Sequence, residues 1–340
     1  MSVEIWPPIS LDELKIQEDA TQARELAWLL TSLRATLEQL RSGLEDCCAL
    51  LSPSDSAPST LALTTPRNET VKGHATRVGT RLVRGLVHLK LRTLPPQTLA
   101  LDPARPVLVA ALGRLENLLA QSVGVCFELA EHDRRPAPPS APYLAAQLRL
   151  LAQHIAEAAA LVKGPPNTTA AAANANTTTT TTTTTAGAGA GAGEPQPLPD
   201  TAWTTDSTSL GHFAPPLSRN LSVYITIQDA HLVLYVRALE PADAPVNLGT
   251  KLALAIGTTR RLEHDEAERV FAYRHDASSR IDPGAGDDEV QAQVYVREKV
   301  RVESADPSLL SLSAKLNALG NTLGLARRNL AAVMGEAVDE

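Results

Sequence analysis

Aromatic side chains are scarce in this chain: phenylalanine, tyrosine and tryptophan together make 3% of its 340 residues, although 44% of the residues are hydrophobic. Packing must therefore fall to leucine, valine and alanine, the residues that helix bundles favour. Cysteine is scarcer still, with three residues, two of them adjacent (Cys47 and Cys48). That spacing makes neither a disulfide framework nor a metal site, and points to thiols acting as small hydrophobes in a reducing compartment. A net basic charge is lacking too. At a net charge of −7 and a pI near 5.7, general nucleic-acid binding is excluded, because it depends on clustered cations. No apolar run reaches the roughly 18 residues of a membrane span; the nearest, residues 107–125, is broken by Arg114 and Glu116. The acidic start (Glu4, Asp12, Glu13) lacks the basic-then-apolar order of a secretory signal. The sequons at Asn68, Asn167, Asn176 and Asn220 are therefore expected to stay unglycosylated.

Catalytic signatures are equally thin. The glycines at 187–193 belong to an Ala-Gly repeat, and no Gly-Lys-Ser/Thr occurs, so no phosphate-binding loop is present. Glu131-His132-Asp133 reads as a solvated helix end, and His264-Asp265-Glu266 as a charged turn. Neither cluster has a nucleophile or metal-ligand spacing beside it. Cys126 falls on an apolar helix face and reads as a core residue. We expect no cofactor, no metal and no catalytic residue.

What the chain does have is leucine at regular spacing. Leu26, Leu30, Leu33, Leu37, Leu40, Leu44, Cys47 and Leu51 recur at alternating steps of four and three. This 3.5-residue period keeps one apolar seam facing a helical partner over roughly 40 Å. Ser10 is placed to cap the helix, with Asp12 and Glu13 in its first turn. The e and g positions lack the complementary Glu and Lys of a self-pairing zipper, and Leu29 and Leu50 widen the seam, as an intramolecular bundle requires. A second helix over 104–134 presents Leu108, Leu112, Leu115, Leu119, Ser122, Cys126 and Leu129. A third over 141–163 presents Leu144, Leu148, Leu151, Ile155, Ala158 and Val162. The last, over 306–335, opens on Asp306-Pro307 and carries Leu309, Leu312, Leu316, Leu319, Leu323, Ala326, Leu330 and Val333. It matches the first in rhythm and length, and is basic (Lys315, Arg327, Arg328) where the first is acidic (Glu25, Glu38, Glu45, Asp46).

Elsewhere the period shortens to two. Val87, Leu89 and Leu91 alternate with His88, Lys90 and Arg92. Leu221 to Ile227, a turn at 228–230 and Leu232 to Leu239 make a hairpin. Further strands are expected near 251–256 and 268–273, and across Val290 to Val302 after a polar loop at 277–289. The expectation is an α+β fold: an antiparallel four-helix bundle (10–51, 104–134, 141–163, 306–335) and a mostly antiparallel sheet domain (60–94, 217–303), both built from discontinuous segments. Residues 164–216, with a Thr run and scattered proline, have the composition of a disordered linker.

Two features offer contact surfaces. Arg67 to Arg92 holds seven Arg and Lys against one Glu, so Lys72, Arg77, Arg81, Arg84, Lys90 and Arg92 are candidates for docking an acidic protein surface or anionic lipid, against the plainer reading of a solvated sheet face. Trp28, outward in a two-helix register, either packs on the sheet domain or anchors a partner.

Leu26-Ala27-Trp28-Leu29-Leu30 with its seam resembles the opening helix of the Rogdi leucine-zipper family. Val71-Lys72-Gly73 followed by Val87-His88-Leu89-Lys90-Leu91 is similar to that family's next block. Ala214-Pro215-Pro216-Leu217 and Leu221-Ser222-Val223-Tyr224-Ile225 resemble its later proline turn and hairpin. The resemblance implies a non-catalytic adaptor of a RAVE-type complex. Such an adaptor promotes assembly of the peripheral sector of the vacuolar proton-ATPase with its membrane sector. It would bind a large β-propeller scaffold of the rabconnectin type and peripheral ATPase subunits. It would be cytoplasmic, peripheral to vacuolar or endosomal membranes, and one copy per complex. The alternative is a self-associating coiled-coil protein pairing through the first helix. A hydrolase built on His132 or His264 is the weakest reading.

Overall fold

A computed structural model describes residues 9–52, 58–133, 140–165, 201–243, 264, 266–267, 269–274 and 292–335. The expected strand at 251–256, the loop at 277–289, the prolines at 136–139 and the Thr-rich segment lie outside these residues. The fold is α+β. Its elements are α1 (Leu11–Leu51), β1 (Ser59–Thr64), β2 (Val71–Val78), β3 (Arg81–Leu89), β4 (Gln97–Ala100), β5 (Val107–Leu108), α2 (Ala110–Asp133), α3 (Ala141–Lys163), α4 (Trp203–Asp206), β6 (Leu221–Gln228), β7 (His231–Pro241), β8 (Val270–Tyr273), β9 (Ala292–Ala305) and α5 (Pro307–Met334). The chain divides into two compact units: residues 1–52, 114–161 and 311–340, and residues 53–113 and 162–310.

The first unit is helical. Ser10 caps α1, its hydroxyl accepting from the Glu13 N–H at 3.2 Å. Leu33, Leu37, Leu40, Leu44, Cys47 and Leu51 are buried, whereas Leu26 and Leu30 are half-buried and residues 11–25 are exposed. On α5, Leu309, Leu312, Leu316, Leu323 and Leu330 are buried and Leu319 is half-buried. Helices α1 and α5 lie side by side in opposite directions. Gln22 Nε2 donates to the Val333 carbonyl at 2.9 Å, and Lys315 Nζ meets Asp46 at 2.7 Å. Between these ties, a Cβ on Gly43 would sit 2.6 Å from the Leu319 side chain. α5 is in turn close to α3, where a Cβ on Gly320 would touch Ile155.

The second unit holds two antiparallel sheets. One runs β1-β2-β3-β4, with β5 also on β3; the other runs β6-β7-β9-β8. Gly73 has a steric reason: a Cβ there would lie 2.1 Å from the Leu86 carbonyl oxygen. The β6–β7 turn is Asp229-Ala230, both at positive φ, which matches the twist of a two-residue hairpin. Its N–H groups bond the Lys163 and Val162 carbonyls at 2.7 and 3.0 Å, closing the end of α3. Gly164 follows there at φ +69°, where a Cβ would meet the Ile227 carbonyl at 2.1 Å.

Two expectations need correction. The second helix begins at Ala110, not 104: Val107 and Leu108 pair with Leu82 and Arg81 as a strand, so Leu108 belongs to a sheet. Residues 201–216, read from composition as linker, are folded. Trp203 is fully buried and Phe213 nearly so, and a bridge joins Phe213 to Leu101. β6 and β7 are buried along almost their whole length, and β7 is a central strand of its sheet.

Candidate interaction surfaces

The strand register sorts the Arg67–Arg92 cations into two groups. Val71, Ala75 and Arg77 point inward from β2, while Lys72 and His74 point outward. Across the ladder Lys72 pairs with His88, His74 with Leu86 and Thr76 with Arg84. The outward row of β3 thus carries Arg84, Leu86 and His88, and the alternation continues through Lys90 and Arg92, both exposed. Arg81 is exposed as well, and β5 sets Leu108 opposite it. His88 Nδ1 lies 2.8 Å from Thr98 Oγ1 on β4. Lys72, Arg81, Arg84 and Lys90 therefore share one exposed sheet face.

Arg77 does not join them. Its side chain is 3% exposed, and its Nε donates to Asp306 at 2.6 Å. Asp306 is itself fully buried; its other carboxylate oxygen accepts from the Ser59 hydroxyl and from the Ser308 N–H that opens α5. Arg77 is a structural ion pair rather than a contact residue, because its odd-numbered position faces the core. The backbone at Arg92 has a second structural task. Glu298 Oε2 accepts from the N–H groups of Arg92 and Thr93 and from the Thr93 hydroxyl, at 2.8 to 3.1 Å.

Trp28 stands 72% exposed on α1, on the same helix as exposed Leu11, Leu14 and Ile16.

Burial pushes the Cys47 and Cys126 thiols up to about 11, leaving them protonated at neutral pH and poorly nucleophilic. Glu266, expected in a charged turn, is buried. Its carboxylate binds Arg237 at 2.7 and 2.9 Å and Lys299 at 2.7 Å. Burial alone raises its pKa, but the hydrogen bonds and charges of Arg237 and Lys299 outweigh that and hold it below the usual carboxylate range. Arg237 also lies 4.5 Å over the Trp203 ring and 5.0 Å over Tyr235. Trp203 in turn packs on Phe271 and Tyr273. Sequence reasoning missed this cluster. Its signal was Arg237, a charge inside the apolar run Leu232 to Leu239. Side-chain detail at His132 lies outside the described residues, and His264 Nδ1 accepts from the Glu266 N–H at 3.2 Å. Among the described residues no three His, Cys, Asp or Glu side chains gather as a metal site, and no helix is long and apolar enough to cross a membrane.

A family profile described as Rogdi leucine zipper containing protein matches residues 25–331. The chain belongs to the Rogdi leucine-zipper family. The match takes in stretches of both units, from the start of the α1 seam to Leu330 of the α5 seam. Among curated proteins, none matches the chain. For a Rogdi-family chain, the Val71-Lys72-Gly73 block now has a geometry: an inward valine, an outward lysine and a glycine that lets β3 approach.

Proposed function

We propose that this Rogdi-family chain is a non-catalytic adaptor of a RAVE-type complex that promotes assembly of the peripheral sector of the vacuolar proton-ATPase with its membrane sector. The family match over residues 25–331 carries this reading. It is supported by the exposed cationic sheet face and by exposed Trp28, surfaces suited to docking rather than chemistry. In this reading the four long helices close as one antiparallel bundle. The chain acts as a single copy in the cytoplasm, on a β-propeller scaffold of the rabconnectin type, at vacuolar or endosomal membranes. Affinity capture from native cytosol with mass spectrometry tests it. Scaffold and peripheral ATPase subunits are expected among the recovered proteins, and their absence under gentle lysis overturns the proposal.

A second reading, self-association as a coiled coil, draws on the exposed apolar residues of the first turns of α1: Leu11, Leu14 and Ile16. It is the weaker of the two. The seam that would have to pair between chains, Leu33 to Leu51, is already buried within one chain.

A further inference from the structure

Several cations in the sheet unit are neutralised. Arg77 pairs with Asp306, Arg237 and Lys299 with Glu266, Arg297 with Glu240 and Arg301 with Glu303. The outward face of β2 and β3 gathers cations that are not. Lys72, Arg81, Arg84 and Lys90 are exposed, and their side chains have no hydrogen-bond or ion-pair partner among the described residues. The strand positions facing them are His88, Leu108 and Thr76, none of them acidic. Two apolar side chains stand among these cations: Leu86, 37% exposed, and Leu108, 52% exposed.

We infer that this face docks on an anionic lipid bilayer through Lys72, Arg81, Arg84 and Lys90, with Leu86 and Leu108 entering the headgroup layer. The inference does not depend on the adaptor reading, since it stands on strand register and charge alone. Bilayer rather than acidic polypeptide is favoured by the composition of the face. Recognition of an acidic polypeptide gains from guanidinium forks held in a fixed geometry. Here the cations are unbraced, and they flank protruding leucines. Mobile lipid headgroups can gather under such a diffuse charge, while the leucines gain from leaving water. At about 1 kcal/mol per cation near an anionic surface, two cations contribute about 30-fold in partitioning.

Co-sedimentation of the full purified chain tests this, using vesicles of phosphatidylcholine alone or phosphatidylcholine with phosphatidylserine. Binding is expected only to the serine-containing vesicles, weakening as salt rises. Arg84→Gln with Lys90→Gln should lower it about 30-fold. The pair Lys72→Gln with Arg81→Gln gives an independent reading should the first pair destabilise the strand. Leu86→Ser with Leu108→Ser should weaken binding while preserving its salt dependence. The same charge change made on α5, Arg327→Gln with Arg328→Gln, should leave binding unchanged. The inference is overturned by equal sedimentation with both vesicle types, or by equal loss in the α5 control. It is also overturned if the face binds soluble polyglutamate but no vesicle. Because no scaffold is present, either outcome is separable from success or failure of the capture experiment.

Discussion

At the scale of single residues, the sheet unit depends on charges removed from water. Arg77 and Asp306 are both buried, and removing one partner leaves the other charged and unpaired. Arg77→Ala is therefore expected to cost roughly 3 to 5 kcal/mol, measured by urea unfolding, whereas Arg84→Ala on the exposed face should stay within about 0.5 kcal/mol. Glu266 adds a pH dependence. Its folded pKa lies below its unfolded value, so its stabilising contribution is complete above the unfolded carboxylate pKa of about 4.3 and is lost as pH falls through the folded one. Glu266→Gln should lower stability at neutral pH and flatten the fall in stability below about pH 4. Unfolding curves collected across acidic pH would check both parts. Proximity along the chain could not reveal these pairs. Arg77 and Asp306 are 229 residues apart, and a charge count treats every arginine of the 67–92 stretch alike. Strand parity separates Arg77 from Lys72, and parity needs the register.

At the scale of elements, the helices were the most legible part. A 3.5-residue period is a property of one segment, so α1, α3 and α5 emerge near their sequence-derived bounds without knowledge of their neighbours. The depth of burial along α1 was not legible. Its seam extends from Leu26, yet only from Leu33 onward do the seam residues become fully buried, because Gln22 already lies across from Val333 near the far end of α5. Leu40→Ala and Leu316→Ala are accordingly expected to cost about 2 to 5 kcal/mol each. Trp28→Ser, despite removing a larger side chain, should leave thermal unfolding nearly unchanged. Calorimetry on the three variants decides this ordering. The short strands were harder to read. Val107-Leu108 continues the leucine rhythm of α2 in sequence, and only its pairing with Arg81 and Leu82 makes it a strand.

At the scale of the whole molecule, the two compact units are each assembled from separated stretches of chain, and the Rogdi profile covers the stretches of both. The α1–α5 ties predict how the chain responds to a charge in the seam. Leu37→Glu should give a destabilised or unfolded monomer by light scattering and circular dichroism. A folded dimer that dissociates on the same substitution would instead support the coiled-coil reading. The scarce aromatics also acquire a meaning at this scale. Trp203, Tyr224, Tyr235, Phe271 and Tyr273 share one core cluster of the second sheet, and Trp203 comes from a segment whose composition reads as linker.

Residue order alone specifies the helical seams, the capping at Ser10, the central hairpin and the family, because each is written in short-range spacing or in ordered local blocks. Which cations face solvent, where Trp203 goes and what neutralises Glu266 are settled by the folded chain. Those outcomes depend on which distant segment covers each face, and burial and ion pairing arise from that covering rather than from residue order.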